Sequence, residues 1–174
     1  LLSRPPGRAI LRLHGEPEAE NDMNAPLKEV LAIVREVTER IPFNRVLGLA
    51  IESLEPERAA VRLTMRDELV GNFMRGSLHG GAISTTLDYV GGLVAFLGVV
   101  KKLPGRSFEA MAERFAKIGT IDLRVDYLRP GLGEHFIATG YVLRTGSKVA
   151  VTRMELHSDA AQLIAVGTGA YVVA

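Results

Sequence analysis

The 174 residues contain no cysteine and no tryptophan. Without cysteine there is no disulfide frame, no thiol nucleophile and no cysteine-bound metal. Aromatic residues make up 6% of the chain, so no aromatic-basic platform for nucleic acid exists, and no recognition motif stands in for one. Neither sign of charge dominates: 21 Lys and Arg oppose 20 Asp and Glu, a formal +1. The unbroken apolar run from Val90 to Val100 is half of the roughly 20 residues a bilayer requires, so no membrane span is expected. No stretch has the charged-then-apolar layout of a secretion signal, and a cytoplasmic location is the expectation. His14, His135 and His157 lack metal-ligand spacing, so neither metal nor other cofactor is expected. The glycines of Gly71–Gly76 are not followed by the Lys-Ser/Thr of a phosphate loop, which argues against nucleotide hydrolysis.

What is present fits one ordinary domain with a real core, since 47% of the residues are hydrophobic. The first 22 residues differ from the rest. Arg4-Pro5-Pro6-Gly7 and the acidic stretch Glu16–Asp22 read as a flexible tail outside the native domain, which is expected to span 23–174. Charge is uneven further on: from Lys101 to Arg153 there are ten Lys or Arg against five Asp or Glu. A solvated face of strands and turns accounts for this most simply. The sharper reading is a landing site for a phosphorylated ligand.

The most informative segment is Asn72 through Asp88. A loop ends in His79-Gly80-Gly81 and a strongly patterned helix begins. At about 100° per residue, Ile83, Leu87, Val90, Val94 and Leu97 form one aliphatic stripe fit to bury against a sheet. The other side carries Gly81, Ser84, Thr85, Asp88, Gly91, Gly92 and Ala95, small enough for another backbone or a ligand to approach. Helix N-termini offer free N–H groups to negative charge, and a lone carboxylate on an apolar helix needs a reason. Together they point to hydrolysis of an acyl group. His79 and Asp88 are nine positions apart, half a turn out of phase and about 13 Å along the axis. One substrate touching both ends therefore implies a second copy of the chain, as in a two-fold dimer.

Elsewhere, Leu27, Val30, Leu31, Val34, Val37 and Ile41 mark an amphipathic helix that Asn24 caps and Pro42 stops. Strands are expected around Leu47–Leu54, Arg58–Met65, Thr120–Leu128, Glu134–Arg144, Val149–His157 and Leu163–Val173, with a short helix from Ser107 to Lys117. Short links predict antiparallel neighbours. The simplest packing is an α+β arrangement, one antiparallel sheet with the long apolar helix across a face. Phe108, Met111 and Phe115 of the short helix either anchor it to the sheet, the simpler reading, or line a pocket for an aliphatic tail.

The His79-Gly80-Gly81 loop, Asp88 nine residues after the histidine, the strand Ile121–Pro130 and the Arg144-Thr145-Gly146-Ser147-Lys148 turn resemble the hotdog-fold acyl-CoA thioesterases of the PaaI type, in the 4-hydroxybenzoyl-CoA thioesterase-like superfamily. The resemblance covers roughly Lys28 to Val173 and is nearest to a bacterial medium- or long-chain branch. It implies a hotdog fold, an antiparallel sheet wrapped around a central helix, assembled as a homodimer or dimer of dimers with sites at the interface. By position it implies Asp88 as nucleophile or general base and Gly80 as the backbone N–H donor that polarises the carbonyl. Thr120 would help orient water, Asn72 matches an asparagine upstream of the loop, and His79 holds the loop or takes part directly. Gly81 and Thr85 lie where substrate would pass, and Arg129, Arg144 and Lys148 are candidates for the phosphates of CoA. Two other readings remain: an acyl-thioester hydratase or dehydratase on the same fold, and a non-catalytic acyl-CoA binding module.

Overall fold

The computed structural model describes residues 25–102 and 108–174. The tail and Asn24 lie outside the described residues. Helix α1 (Ala25–Glu39) buries Val30, Leu31 and Val34, the stripe its spacing predicts. Pro42 does not simply stop it. After Ile41 in extended backbone, Pro42 opens a second short helix, α2 (Pro42–Leu47), at the position where a missing N–H costs nothing. Gly48, at φ 70°, ends α2 in the left-handed region, so strand β1 (Leu49–Glu55) starts later than the apolar run alone indicates.

β1 pairs with β2 (Arg58–Thr64) across the two-residue turn Pro56-Glu57. Ala59, Val61 and Leu63 of β2 point inward and are buried, as alternation requires. A single turn of 3-10 helix, Asp67–Leu69, then leads into a small hairpin that the sequence had read as loop: β3 (Val70–Asn72) and β4 (Ser77–Leu78). Gly71 is needed there, because a Cβ would lie 2.7 Å from the backbone of His79.

Helix α3 (Gly80–Lys101) follows, then α4 (Phe108–Ala116) and strands β5 (Gly119–Tyr127), β6 (His135–Thr145), β7 (Val149–Ser158) and β8 (Leu163–Val172). Six strands form one antiparallel sheet in the order β1-β2-β6-β7-β8-β5. α3 lies across it and touches β2, β5, β6, β7 and β8. This is the hotdog arrangement. Leu87, Val90 and Val94 are fully buried against Val61, Leu63, Phe136, Met154 and Leu156. Each such side chain contributes about 1.5–3 kcal/mol. At 22 residues α3 is long and apolar enough to cross a membrane by composition, yet 72% of its most apolar stretch is buried inside the protein, as befits a core helix.

The small face of α3 is not left free along its length. Gly91 and Ala95 are buried beneath Tyr171 of β8, and Gly98 beneath Thr145 and Val142 of β6. What approaches the glycines is this chain's own sheet.

Candidate active site

α3 starts at a tight corner. His79 is its N-cap in extended backbone (φ −66°, ψ 135°), and its Nδ1 accepts a hydrogen bond from the Gly81 N–H at 2.8 Å. The histidine thereby satisfies one of the free donors of the first turn. The N–H of Gly80 makes no hydrogen bond among the described residues, while its carbonyl accepts from the Tyr127 hydroxyl at 3.1 Å. Tyr127 lies in the strand that carries the family resemblance but is not among the candidate site residues the sequence offers.

Two turns on, the Asp88 carboxylate is half-buried where α3 emerges beside β5 and β8. Thr120 Oγ1 donates to Asp88 Oδ1 at 2.9 Å, and the Tyr171 hydroxyl approaches the same oxygen at 3.2 Å. These two residues come from neighbouring strands and face each other directly in the sheet register. A β-bulge at Ile121 follows immediately and shifts the register by one residue. Oδ2 has no hydrogen-bond partner among the described residues.

Next to the carboxylate is a cavity of about 250 Å³. Tyr89, Gly92 and Leu93 of α3 form one side, and Thr38 and Ile41 from the end of α1 another. Phe115 and Ile118, with Gly119, Thr120 and Tyr171, close it. Among the described residues the wall carries hydroxyls and one carboxylate but no cation. Burial raises the Tyr171 phenol above the usual tyrosine range, with the charge and hydrogen bond of Asp88 adding to it, so the hydroxyl stays a donor. Burial likewise raises Tyr89. Phe115 lines the cavity and packs edge-on against Phe96 at 5.1 Å, so the anchor it gives the short helix is to α3 rather than to the sheet. The side chains of Phe108 and Met111 lie outside those described.

The other candidates fall elsewhere. Asn72 Oδ1 accepts from the Met74 N–H at 3.1 Å, an exposed turn-closing contact away from Asp88. Gly81 and Thr85 sit on the first turns of α3, exposed and half-exposed. Arg129 donates to the Leu163 carbonyl at 2.9 Å near the start of β6, whereas Arg144 and Lys148 flank its far end. A strand of that length spans about 30 Å, so no single phosphate on one chain meets all three. Among the described residues, no three His, Asp or Glu gather as metal ligands.

Tyr171 is the contact that reading the sequence missed. The signal was the run Gly167-Thr168-Gly169-Ala170-Tyr171: two glycines on the same strand face as a large ring mark the place where that ring lies back over the sheet.

The sequence model of the thioesterase superfamily matches residues 75–165. The chain belongs to that family. It is 42% identical over 147 residues to the medium/long-chain acyl-CoA thioesterase YigI of Escherichia coli, across 84% of this chain and 95% of that one. Among solved structures, a protein of Shewanella oneidensis related to the thioesterase superfamily matches with a TM-score of 0.84 at 45% identity, covering 87% and 99% of the two chains. The PaaI protein of E. coli, from the phenylacetic acid degradation operon, matches at 0.64 and 19% over 84% and 94%, a likeness of fold alone. As a thioesterase-superfamily member the protein is a hydrolase.

Proposed function

We propose that the protein hydrolyses medium- or long-chain acyl-CoA to the free acid and CoA, with Asp88 supplying the base or nucleophile and Gly80 of a second copy supplying the oxyanion donor. The observation that carries this is the Asp88 carboxylate, held on one oxygen by two hydroxyls beside an apolar cavity. An apolar cavity of about 150 Å³ accepts a benzene ring, so one of about 250 Å³ has room for part of an aliphatic tail. The E. coli relative named above supports the choice of substrate.

The chemistry needs an attacker and a place for negative charge. Water forms the new C–O bond, the C–S bond breaks, and one proton passes through Asp88 to the departing sulfur. In the nucleophilic route the carboxylate attacks first and water cleaves the resulting anhydride. A preorganised N–H such as that of Gly80 stabilises the oxyanion by about 3–4 kcal/mol.

Within one chain Gly80 and Asp88 are about 12 Å apart along the axis of α3, too far for one carbonyl. β5 supports a way to bring them together. It is an edge strand of the sheet, with Ile121 and Tyr127 exposed on it. Its Thr120 end contacts Asp88 and its Tyr127 end contacts Gly80. Antiparallel pairing of β5 with its own copy, about a two-fold near Leu123 and Arg124, sets Thr120 opposite Tyr127 of the second copy. Each carboxylate then meets the other chain's helix start.

Subunit complementation tests this. Asp88→Asn should lower thiol release from medium-chain acyl-CoA by about 10³-fold or more, a loss of the size that removing a catalytic group brings. Gly80→Pro removes the N–H at a first-turn position, and the extended His79 before it already suits a proline. Each variant alone should be inactive. Mixed and reassembled, they should regain about a quarter of parental activity, because half the dimers carry one intact site. Near-parental activity of Asp88→Asn sinks the assignment. No recovery from inactive, well-assembled variants sinks the shared site. An enoyl product in place of free thiol makes the protein a dehydratase instead.

A further inference from the structure

Tyr171 touches the carboxylate, yet the reaction as written gives it no part. Its side chain is 1% exposed. Its hydroxyl lies 3.2 Å from Asp88 Oδ1 and 3.2 Å from the Asp88 backbone oxygen, so one phenolic proton is shared between two acceptors of a single residue. Packing alone does not call for the hydroxyl, since phenylalanine fills nearly the same volume. The surroundings are nevertheless cut to fit it. A Cβ at Gly91 would overlap the hydroxyl, and one at Gly169 would lie 2.6 Å from it. Ala150, which pairs with Tyr171 across the sheet, is also small and buried.

We propose that Tyr171 is a positioning residue for thioester hydrolysis: with Thr120 it pins Asp88 Oδ1 and leaves Oδ2 as the atom that takes the water proton or attacks the carbonyl. This rests on the reading of Asp88 given above. A carboxylate with a single donor turns about its terminal torsion, which is broad and two-fold. Two donors from adjacent strands on one oxygen fix that torsion, and the ring between α3 and the sheet fixes the donor. During turnover one water proton goes to Oδ2 and then to sulfur, while Oδ1 keeps both hydrogen bonds. Among the described residues the titratable groups lining the cavity are Asp88, Tyr89 and Tyr171, and none of them is a cation that could substitute for the lost donor.

The test is Tyr171→Phe, assayed by thiol release with medium-chain acyl-CoA. The variant loses one hydrogen bond to a charged group, so kcat should fall about tenfold. KM should stay within about twofold, since a hydroxyl that orients the attacking carboxylate adds no uniform substrate binding. Placed in Asp88→Asn, the same change should have no further effect on residual activity. Gly91→Ala, which displaces the hydroxyl without removing it, should reproduce the lower kcat. Parental kcat in Tyr171→Phe, with Asp88→Asn inactive, overturns this inference alone. An active Asp88→Asn overturns the reading beneath it.

Discussion

Along α3, positions 80–89 alternate in pairs: Ala82 and Ile83 buried, Ser84 and Thr85 half-exposed, Thr86 and Leu87 buried, Asp88 and Tyr89 half-exposed. From Val90 to Val100 the alternation disappears, and every residue except Gly92 is buried. Both stretches are rich in small and aliphatic residues, so composition does not separate them. What differs is the cover. The first half has sheet on one side only, and its open side carries the carboxylate and the free N–H of Gly80. The second is enclosed by β6, β7 and β8, with Tyr171 and Thr145 filling the space over Gly91 and Gly98. The carboxylate sits where the helix leaves the core, half-exposed and still close enough to the sheet to be held by two hydroxyls. Gly92, the one opening in the enclosed half, is also a wall of the cavity.

Substitutions on either side of that boundary should separate stability from turnover. Leu97→Ala removes a side chain 1% exposed in the enclosed half. It should cost about 2–5 kcal/mol in urea unfolding, leaving kcat of the folded fraction close to parental. An equal loss of kcat would mean the two halves are not separable. Thr120→Val removes the 2.9 Å hydrogen bond to Asp88. It should lower kcat about tenfold, near 1.4 kcal/mol, with little change in melting temperature because the threonine is exposed. The smallest effect belongs to Gly92→Ala, whose Cβ would meet the Tyr171 ring at an ordinary 3.5 Å. Helix propensity should make it more stable by up to about 1 kcal/mol, while the narrowed cavity shifts the preferred acyl-CoA to shorter chains. An unchanged profile across graded chain lengths would remove Gly92 from the pocket.

The strands and both long helices were legible because burial on one face writes its period into the sequence: Ala59, Val61 and Leu63 alternate, and Ile83, Leu87, Val90 and Val94 recur at helical spacing. Proline signals were less decisive. Pro42 serves equally as a stop for α1 and as a start for α2, and only the left-handed Gly48 fixes where β1 begins. The β3–β4 hairpin is too short for any period to register. In the candidate site, the helix pattern isolated Asp88 and the family resemblance added Thr120, 32 residues away, which the structure joins to it by a hydrogen bond. The sheet fills the space that the small residue at Gly91 leaves, and the cavity borders Gly92. The contacts of Tyr171 and Tyr127, which reach 83 and 47 residues along the chain, are absent from the sequence reading. Arg129, Arg144 and Lys148 look alike beside their turns, and strand length separates them.

By itself the sequence determined which faces are apolar, hence the elements and the oddity of an acid on an apolar helix, because periodicity is a local property of the chain. Tertiary structure alone decided what surrounds that acid. The pairing of β5 with β8, shifted by a bulge at Ile121, sets Thr120 beside Tyr171, and register is a match between the buried faces of two strands that neither segment carries alone.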